Sequence, residues 1–193
     1  MRYHRTDVVE RAIGVLDQYG LADLSMRRIA AELGVQPSAL YHHFANKQAL
    51  LAAAADEILV RGGRIAESDP VWDKQIVSTC RVLRNAMLAY RDGAELISTV
   101  HAFGLGVGVQ ELHDELADEV LDAGFDVAFA RSAATTILHF VFGHVSYEQL
   151  SLQAHGDGAV DGDLASGDRT DEFALGLTLI VDGIRLRQPS YER

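Results

Sequence analysis

Apolar residues recur at a helical period along most of the chain. Between residues 6 and 19, Val8, Ala12, Val15 and Tyr19 are spaced three or four positions apart, which places them on one face of an α-helix. No segment alternates apolar and polar residues between turn dipeptides as a strand would. The chain is therefore predicted to be an all-α protein. The same period predicts eight further helices, at residues 26–33, 37–44, 47–64, 73–91, 95–107, 109–122, 127–152 and 171–187.

Residues at the predicted helix ends support these boundaries. Gly20 and Gly34 each follow a helix, where glycine readily adopts the left-handed conformation that ends it. Ser25 and Asn46 precede helices, where their side chains can accept a hydrogen bond from the first turn. Pro37 stands at the first position of the third helix, where its missing N–H is not needed.

Residues 153–170 interrupt the helical pattern with glycine and aspartate. Such a composition cannot bury apolar area, so we expect a mobile loop. The aspartates lack the spacing of a calcium-binding loop, and no glutamate follows where it would chelate the ion. We therefore do not expect calcium binding. The residues concerned are Gly156, Gly158, Gly162, Gly167, Asp157, Asp161, Asp163 and Asp168.

Length, cysteine content and hydropathy narrow the class of protein. The 193 residues are enough for one or two domains with a buried core. Cys80 is the only cysteine, which excludes an intrachain disulfide and fits a reducing compartment. The densest apolar run, residues 137–142, is far too short to cross a bilayer, and the N-terminus is charged. We therefore expect a cytoplasmic protein that does not enter the membrane.

The distribution of charge leaves room for a nucleic-acid partner. A net charge of −11 should repel a polyanion. However, residues 1–50 carry six basic and five acidic side chains, a net charge of +1, and the other 143 residues carry −12. The acidity therefore lies outside the first fifty residues.

Residues 24–44 have the pattern of a helix-turn-helix, in which two short helices flank a glycine turn and the second enters the major groove of DNA. Small side chains at the start of the second helix permit close approach, and later hydroxyl and imidazole groups can reach phosphates or base edges. Basic residues also stand at helix N-termini, which favour phosphate. Phe44 is expected to lie in the core, whereas Tyr41 has both a core and a DNA interpretation. The residues expected to contact DNA are Arg27, Arg28, Gln36, Pro37, Ser38, Tyr41, His42, His43 and Lys47.

The histidines do not predict a metal centre or a catalytic site. His42 and His43 are adjacent on a helix and diverge by about 100°, so they cannot share one ion. His139 and His144 lie in an apolar helix, where a histidine is more often a core residue than a ligand or a catalytic base. We therefore predict no metal, no cofactor and no enzymatic activity.

The helix-turn-helix resembles that of the tetracycline-repressor (TetR) family. The family's signature combines an Ala-Glu-Leu-Gly-Val turn, a Leu-Tyr-x-His-Phe segment, an Asn-Lys pair and two leucines. These stand here at residues 31–35, 40–44, 46–47 and 50–51, within a resemblance that covers residues 6–60. It implies a base or phosphate contact by Arg27, recognition contacts by Gln36, Pro37, Ser38, Tyr41 and His42, and phosphate anchors at His43 and Lys47.

A weaker resemblance to the C-terminal domain of tetracycline repressors continues through residues 91–94, 139–143 and 173–180. Those repressors hold a magnesium–drug complex with two histidines and a glutamate. This chain lacks these ligands, which implies an effector other than tetracycline. The corresponding positions are Gly62-Gly63, Ile97 and Tyr147, with Glu148 one residue away.

The resemblance further implies a homodimeric repressor that leaves double-stranded operator DNA when a small molecule binds. Residues 1–47 are predicted to form a three-helix DNA-binding domain, and residues 48–193 a helical domain for effector binding and dimerisation, with the helix at 47–64 as the connector. The helices at 127–152 and 171–187 would meet a second subunit. The partner-facing residues predicted on the first of these are Ala133, Ala134, Ile137, Leu138, Val141 and Val145.

An apolar pocket with one polar group is expected to receive the effector. Its candidate residues are Phe103, Leu112, Leu116, His139, Phe142 and Tyr147. Two alternatives stay open: a ligand-binding helical protein with degenerate DNA recognition, and a transcriptional activator of the same fold. A helical enzyme that uses His139 or His144 as a base is a third and weaker one.

Overall fold

The structure, a computed structural model, describes residues 3–63, 69–156 and 166–188. Within these ranges every regular element is an α-helix, which confirms the predicted all-α fold. In the same ranges no helix is long and apolar enough to span a membrane. The helices are α1 (Arg5–Tyr19), α2 (Met26–Leu33), α3 (Pro37–Leu40), α4 (Lys47–Gly62), α5 (Trp72–Leu88), α6 (Gly93–Ala102), α7 (Val107–Asp122), α8 (Val127–Gly156) and α9 (Ser166–Arg185).

The chain divides into two compact units. Unit 1 consists of Met1–Gly63 and Asn85–Gln110, and unit 2 consists of Arg64–Arg84 and Glu111–Arg193. This differs from the domain boundary predicted at residue 47. The reason is that α4 does not act only as a connector, because it packs against both α1 and α6 in unit 1. Its buried residues are Leu50, Leu51, Ala54, Ala55 and Ile58.

The first three helices of unit 1 close around a small apolar core. Helix α2 packs against both α1 and α3, so the two helices of the predicted motif contact each other and the first of them also contacts α1. Phe44 is only 2% exposed, which confirms it as a core residue. Burial of each large side chain contributes about 1.5–3 kcal/mol. The core includes Val8, Leu16, Leu24, Ile29, Leu40 and Phe44.

The predicted capping residues set the ends of the short helices. The hydroxyl oxygen of Ser25 accepts a hydrogen bond from the N–H of Arg28 (3.2 Å), and Oδ1 of Asn46 accepts one from the N–H of Ala49 (2.8 Å). Gly34 ends α2 in the left-handed conformation, with φ 66°. Helix α3 is shorter than predicted, because it ends at Leu40 and residues 41–43 form a turn.

Two aspartates tie distant segments of unit 1 together. Asp56 on α4 accepts hydrogen bonds from the N–H groups of Val107 (3.2 Å) and Gly108 (2.9 Å), at the start of α7. Asp92, just before α6, accepts one from the N–H of Leu21 (2.8 Å), in the turn between α1 and α2. The start of α7 is therefore fastened to α4, and the start of α6 to the turn that leads into α2.

In unit 2 the long helix α8 packs against α9. The six residues predicted to face a second subunit are instead buried within the single chain, so that assignment was wrong. The helix is apolar around most of its circumference, and its buried stripe serves the chain's own core. These residues are Ala133, Ala134, Ile137, Leu138, Val141 and Val145.

The predicted glycine-rich loop is shorter than residues 153–170. Helix α8 continues to Gly156 and α9 begins at Ser166, so both ends of the predicted loop are helical. Residues 157–165 lie outside the described part of the chain.

Candidate nucleic-acid interface

The segment that begins α3 presents polar side chains to solvent. Gln36 precedes the helix in an extended conformation (φ −74°, ψ 143°), and Pro37 occupies its first turn. Ser38 and His42 are exposed, and Tyr41 is 54% exposed. Tyr41 is therefore not a core residue, which excludes the core interpretation and leaves the DNA contact as a prediction. Pro37 and His43 are half-buried.

The start of α4 offers a second polar surface next to this segment. Asn46 caps the helix, and Lys47 is its first residue. The first backbone N–H groups of a helix lack partners within the helix and carry its positive dipole end. A phosphate group at this position would meet those N–H groups at the helix start that carries the basic, half-buried residue Lys47.

Arg27 and Arg28 are adjacent in sequence but have different surroundings. The guanidinium carbon of Arg28 lies 3.8 Å from the centre of the Tyr19 ring, and its Nε lies 3.7 Å from Glu32. Arg27 is exposed, and among the described residues no carboxylate lies within ion-pair distance of it. The geometry therefore favours Arg27 for DNA and gives Arg28 a role in packing α2 against α1.

Other basic side chains of unit 1 are also paired within the chain. Arg11 lies 3.9 Å from Glu32. Arg61 donates to Glu57 (2.9 Å) and to Glu10. These pairs distinguish basic residues that neutralise the protein's own carboxylates from those, such as Arg27 and Lys47, that have no such partner in the described part of the chain.

The predicted effector-pocket residues are not brought together on one buried surface. Leu116 and Phe142 are buried in unit 2, and Leu112 is half-buried. His139 and Tyr147 lie on the exposed side of α8, where Tyr147 is 70% exposed. Phe103 belongs to unit 1 and is largely exposed. A helix that is apolar on most faces conceals which of its residues point inward, and the sequence pattern could not separate them.

Sequence reasoning missed a charged and aromatic cluster inside unit 2. Arg84 on α5 donates to both carboxylate oxygens of Glu148 on α8, at 3.0 and 2.6 Å, and both side chains are buried. The guanidinium carbon of Arg84 lies 5.4 Å from the ring centre of Phe173 on α9. The His144 ring lies 5.3 Å from the same ring. An arginine on the apolar face formed by Cys80, Leu83 and Met87 was the signal that could have found this cluster.

The positions that correspond to tetracycline-type metal ligands cannot supply them here. A Cβ atom on Gly62 would lie 2.4 Å from Cβ of Ala86, so no side chain fits there without rearrangement. Ile97 is fully buried, and Glu148 is held by Arg84.

Comparison with known proteins identifies the class. The family described as bacterial regulatory proteins, tetR family, matches residues 8–54, and a tetracyclin repressor-like C-terminal domain matches residues 66–165. The chain belongs to the tetR family of bacterial regulatory proteins, which confirms the resemblance found in the helix-turn-helix. It is a DNA-binding transcription regulator and not an enzyme.

One curated protein and two crystal structures illustrate the similarity. The tetracycline repressor protein class A from transposon 1721 of Escherichia coli is 35% identical over 201 residues, which cover 94% of this chain and 90% of that protein. The crystal structure of BioQ from Mycobacterium smegmatis is 44% identical, with a TM-score of 0.87 over 94% of this chain and 97% of that one. BioQ bound to its natural double-stranded DNA operator is 42% identical, with a TM-score of 0.78 over 94% of this chain and 98% of that one.

Proposed function

We propose that this chain is a cytoplasmic homodimeric repressor that occupies a two-fold symmetric operator and leaves it when a small molecule other than tetracycline binds. The observation that carries the proposal is the set of exposed polar side chains at Gln36, Ser38, Tyr41 and His42. Arg27 and Lys47 flank them and have no carboxylate partner among the described residues. The crystal structure of a relative with its operator supports it. The residues proposed to contact DNA are Arg27, Gln36, Pro37, Ser38, Tyr41, His42, His43 and Lys47.

The exposed faces of α8 and α9 support the homodimer. Tyr147 and Leu150 on α8 are exposed, Leu175 and Leu179 on α9 are exposed (Leu179 by 67%), and Leu186, which follows α9, is exposed as well. Large apolar side chains on two packed helices are typical of a surface that another protein covers. A second copy of the chain fits this role, because a symmetric dimer presents two recognition segments to half-sites that are about 34–36 Å apart or a multiple of that.

The absence of the tetracycline-type metal ligands supports an effector other than tetracycline. Without side chains at Gly62 and Gly63, and with Glu148 paired to Arg84, the chain lacks the set that would hold magnesium and drug together. Release by any effector requires that it bind the DNA-incompetent state more tightly, with a coupling of about 1–3 kcal/mol or more.

DNA binding is tested with a duplex selected in vitro from a random library by the wild-type chain. Fluorescence anisotropy then compares Tyr41→Ala and Lys47→Ala with Arg11→Ala, a control at a basic residue that pairs with Glu32. We expect the first two variants to weaken binding about tenfold or more, and the control to change it little. Equal affinities for all four proteins would reject the proposed surface.

The remaining parts of the proposal have separate tests. Selection that yields no preferred duplex would indicate the alternative, a ligand-binding protein with degenerate DNA recognition. A reporter placed behind the selected duplex is expected to fall when the chain is expressed, and an increase would indicate an activator. Tetracycline with Mg²⁺ is expected to leave the complex with DNA intact.

Dimerisation is tested by sedimentation. Leu179→Glu places a charge on the exposed apolar face of α9 and is expected to shift the chain towards monomer, whereas Lys74→Glu, an exposed position on α5, is expected to leave it unchanged. A wild-type chain that sediments as a monomer would contradict the proposal.

A further inference from the structure

We propose that Arg5 contacts a phosphate of the DNA backbone next to the surface formed by α3 and the start of α4. This inference rests on the proposed operator binding and adds a residue outside the segment 8–54 that matches the family. It was not among the DNA contacts that the sequence pattern predicted.

Arg5 is held beside the interface by an aromatic ring. Its guanidinium carbon lies 4.6 Å from the centre of the Phe44 ring. Phe44 follows the turn at residues 41–43 and stands two residues before Asn46, which caps α4. Arg5 also lines a groove of about 480 Å³ together with Ala49 and Ala52 of α4. The arginine therefore lies beside the first turn of the helix that Lys47 begins.

The backbone around Arg5 is well defined. It is the first residue of α1, and the carboxylate of Asp7 accepts a hydrogen bond from the N–H of His4 (2.6 Å) just before it. A helix start fixed in this way limits where the arginine side chain can reach. The ring of Phe44 is itself buried, so its position is fixed by the core.

The carboxylates around Arg5 have other partners. Asp7 accepts from His4, as described above. Glu10 and Glu57 both accept from Arg61, and Asp56 accepts from the backbone at the start of α7. Among the described residues none of these acids lies within ion-pair distance of Arg5, which is exposed.

An exposed guanidinium that lies over an aromatic face keeps the N–H donors at its edge available. This arrangement orders the side chain before binding, so less conformational entropy is lost when the donors meet an anion. The planar fork matches two oxygens of a phosphate group. The ligand that fits an ordered cation beside a helix-turn-helix is a backbone phosphate, which would fix the position of the protein on the duplex without reading sequence.

The test measures affinity against salt concentration for wild type, Arg5→Gln, Arg5→Lys and Arg11→Gln. The probes are the duplex selected in vitro by the wild-type chain and a scrambled duplex of equal length. Arg11→Gln is the matched control, because it removes the same charge from the same helix at a residue that pairs with Glu32. Circular dichroism checks that every variant is folded.

We expect Arg5→Gln to weaken binding to both duplexes about tenfold. The steepness of log affinity against log salt concentration should fall by about 1 for each protomer, because one phosphate contact is lost. Arg5→Lys should restore the slope, because it restores the charge, but only part of the affinity. Arg11→Gln should resemble wild type.

Three results would overturn the inference while leaving operator binding intact. The first is a salt slope for Arg5→Gln equal to that of the wild type. The second is a loss of affinity for Arg11→Gln as large as that for Arg5→Gln. The third is a loss of affinity by Arg5→Gln for the selected duplex alone, which would indicate base reading. Failure of the wild-type chain to select any duplex would instead reject operator binding itself, and the role of Arg5 with it.

Discussion

The carboxylate of Asp92 accepts a hydrogen bond from the backbone N–H of Leu21, which lies 71 residues earlier in the sequence, with 2.8 Å between the nitrogen and Oδ2. Asp92 has a left-handed backbone (φ 54°, ψ 21°), the only such non-glycine residue in the described chain. Gly20 makes the contact possible, because a Cβ atom there would lie 2.6 Å from the same carboxylate oxygen. A strained residue and a glycine thus combine to join the start of α6 to the turn after α1.

Replacement of Asp92 by alanine is expected to destabilise the chain by about 2 kcal/mol. A hydrogen bond to a charged acceptor is lost, and alanine is disfavoured in the left-handed conformation. Urea denaturation followed by circular dichroism measures the change. Asp92→Asn keeps an acceptor and tolerates that conformation, so it should lose less than half as much. Equal losses in the two variants would show that the hydrogen bond to Leu21 contributes little.

Arg84 and Glu148 form a buried pair, so we expect substitutions at the two positions to have strongly coupled effects on the free energy of unfolding. Arg84→Met or Glu148→Leu alone should cost about 3–5 kcal/mol in the free energy of unfolding, because each leaves a buried charged group without its partner. The double variant Arg84→Met with Glu148→Leu should recover most of that loss. A double-mutant cycle in urea measures the coupling, and additive losses would mean that the two side chains act independently.

Arg27 and Arg28 are expected to separate affinity from stability. Arg27→Ala should weaken DNA binding and leave the melting temperature unchanged, because the side chain is exposed and has no intrachain carboxylate in the described residues. Arg28→Ala should lower stability by about 1 kcal/mol, because it loses the Tyr19 ring and Glu32. Fluorescence anisotropy measures the DNA affinity of both variants, and thermal melts measure their stability. Lower stability for Arg27→Ala with weaker DNA binding only for Arg28→Ala would contradict the roles assigned to the two arginines.

The thiol of Cys80 is expected to be unreactive in the folded chain. Burial raises its pKa from 9.0 to about 12, so the nucleophilic thiolate is scarce near neutral pH. A thiol reagent at pH 8 should label the chain only after unfolding, and fast labelling of the folded protein would contradict this. Since the unfolded chain releases the proton first as the pH rises, the folded state should lose stability above about pH 9 and continue to lose it towards pH 12.

Local signals predicted the helices around the interface well. Ser25, Gly34 and Asn46 act within four residues of themselves, so their capping roles follow from the sequence alone. The end of α3 was not predicted, because residues 41–43 contain no glycine or proline to mark where the helix stops. The identity of the family came from the combined spacing of the motif, and it was confirmed.

Features that depend on tertiary packing could not be predicted. Adjacent arginines look similar in sequence, and the contact of Arg28 with the Tyr19 ring, which distinguishes it from Arg27, depends on how α1 and α2 pack. The long helix α8 is apolar on most faces, so its period did not show that Val141 faces inward while Tyr147 faces solvent. The pairing of Arg84 with Glu148 joins residues 64 positions apart, and the position of Arg84 on an apolar helix face does not reveal which residue is its partner.

Unit 1 is built from two separate segments of the chain, and this has a consequence for protein engineering. Helix α4 buries one side against α6, and Asn85–Gln110 belongs to the same compact unit as the helix-turn-helix. A fragment cut after residue 63 would remove α6 from its contact with α4, and one cut after residue 47 would also remove α4 from its contact with α1. Anyone who grafts this DNA-binding module onto a different sensor must therefore transplant two separate stretches of chain, and a chimera joined at a single crossover is expected to aggregate.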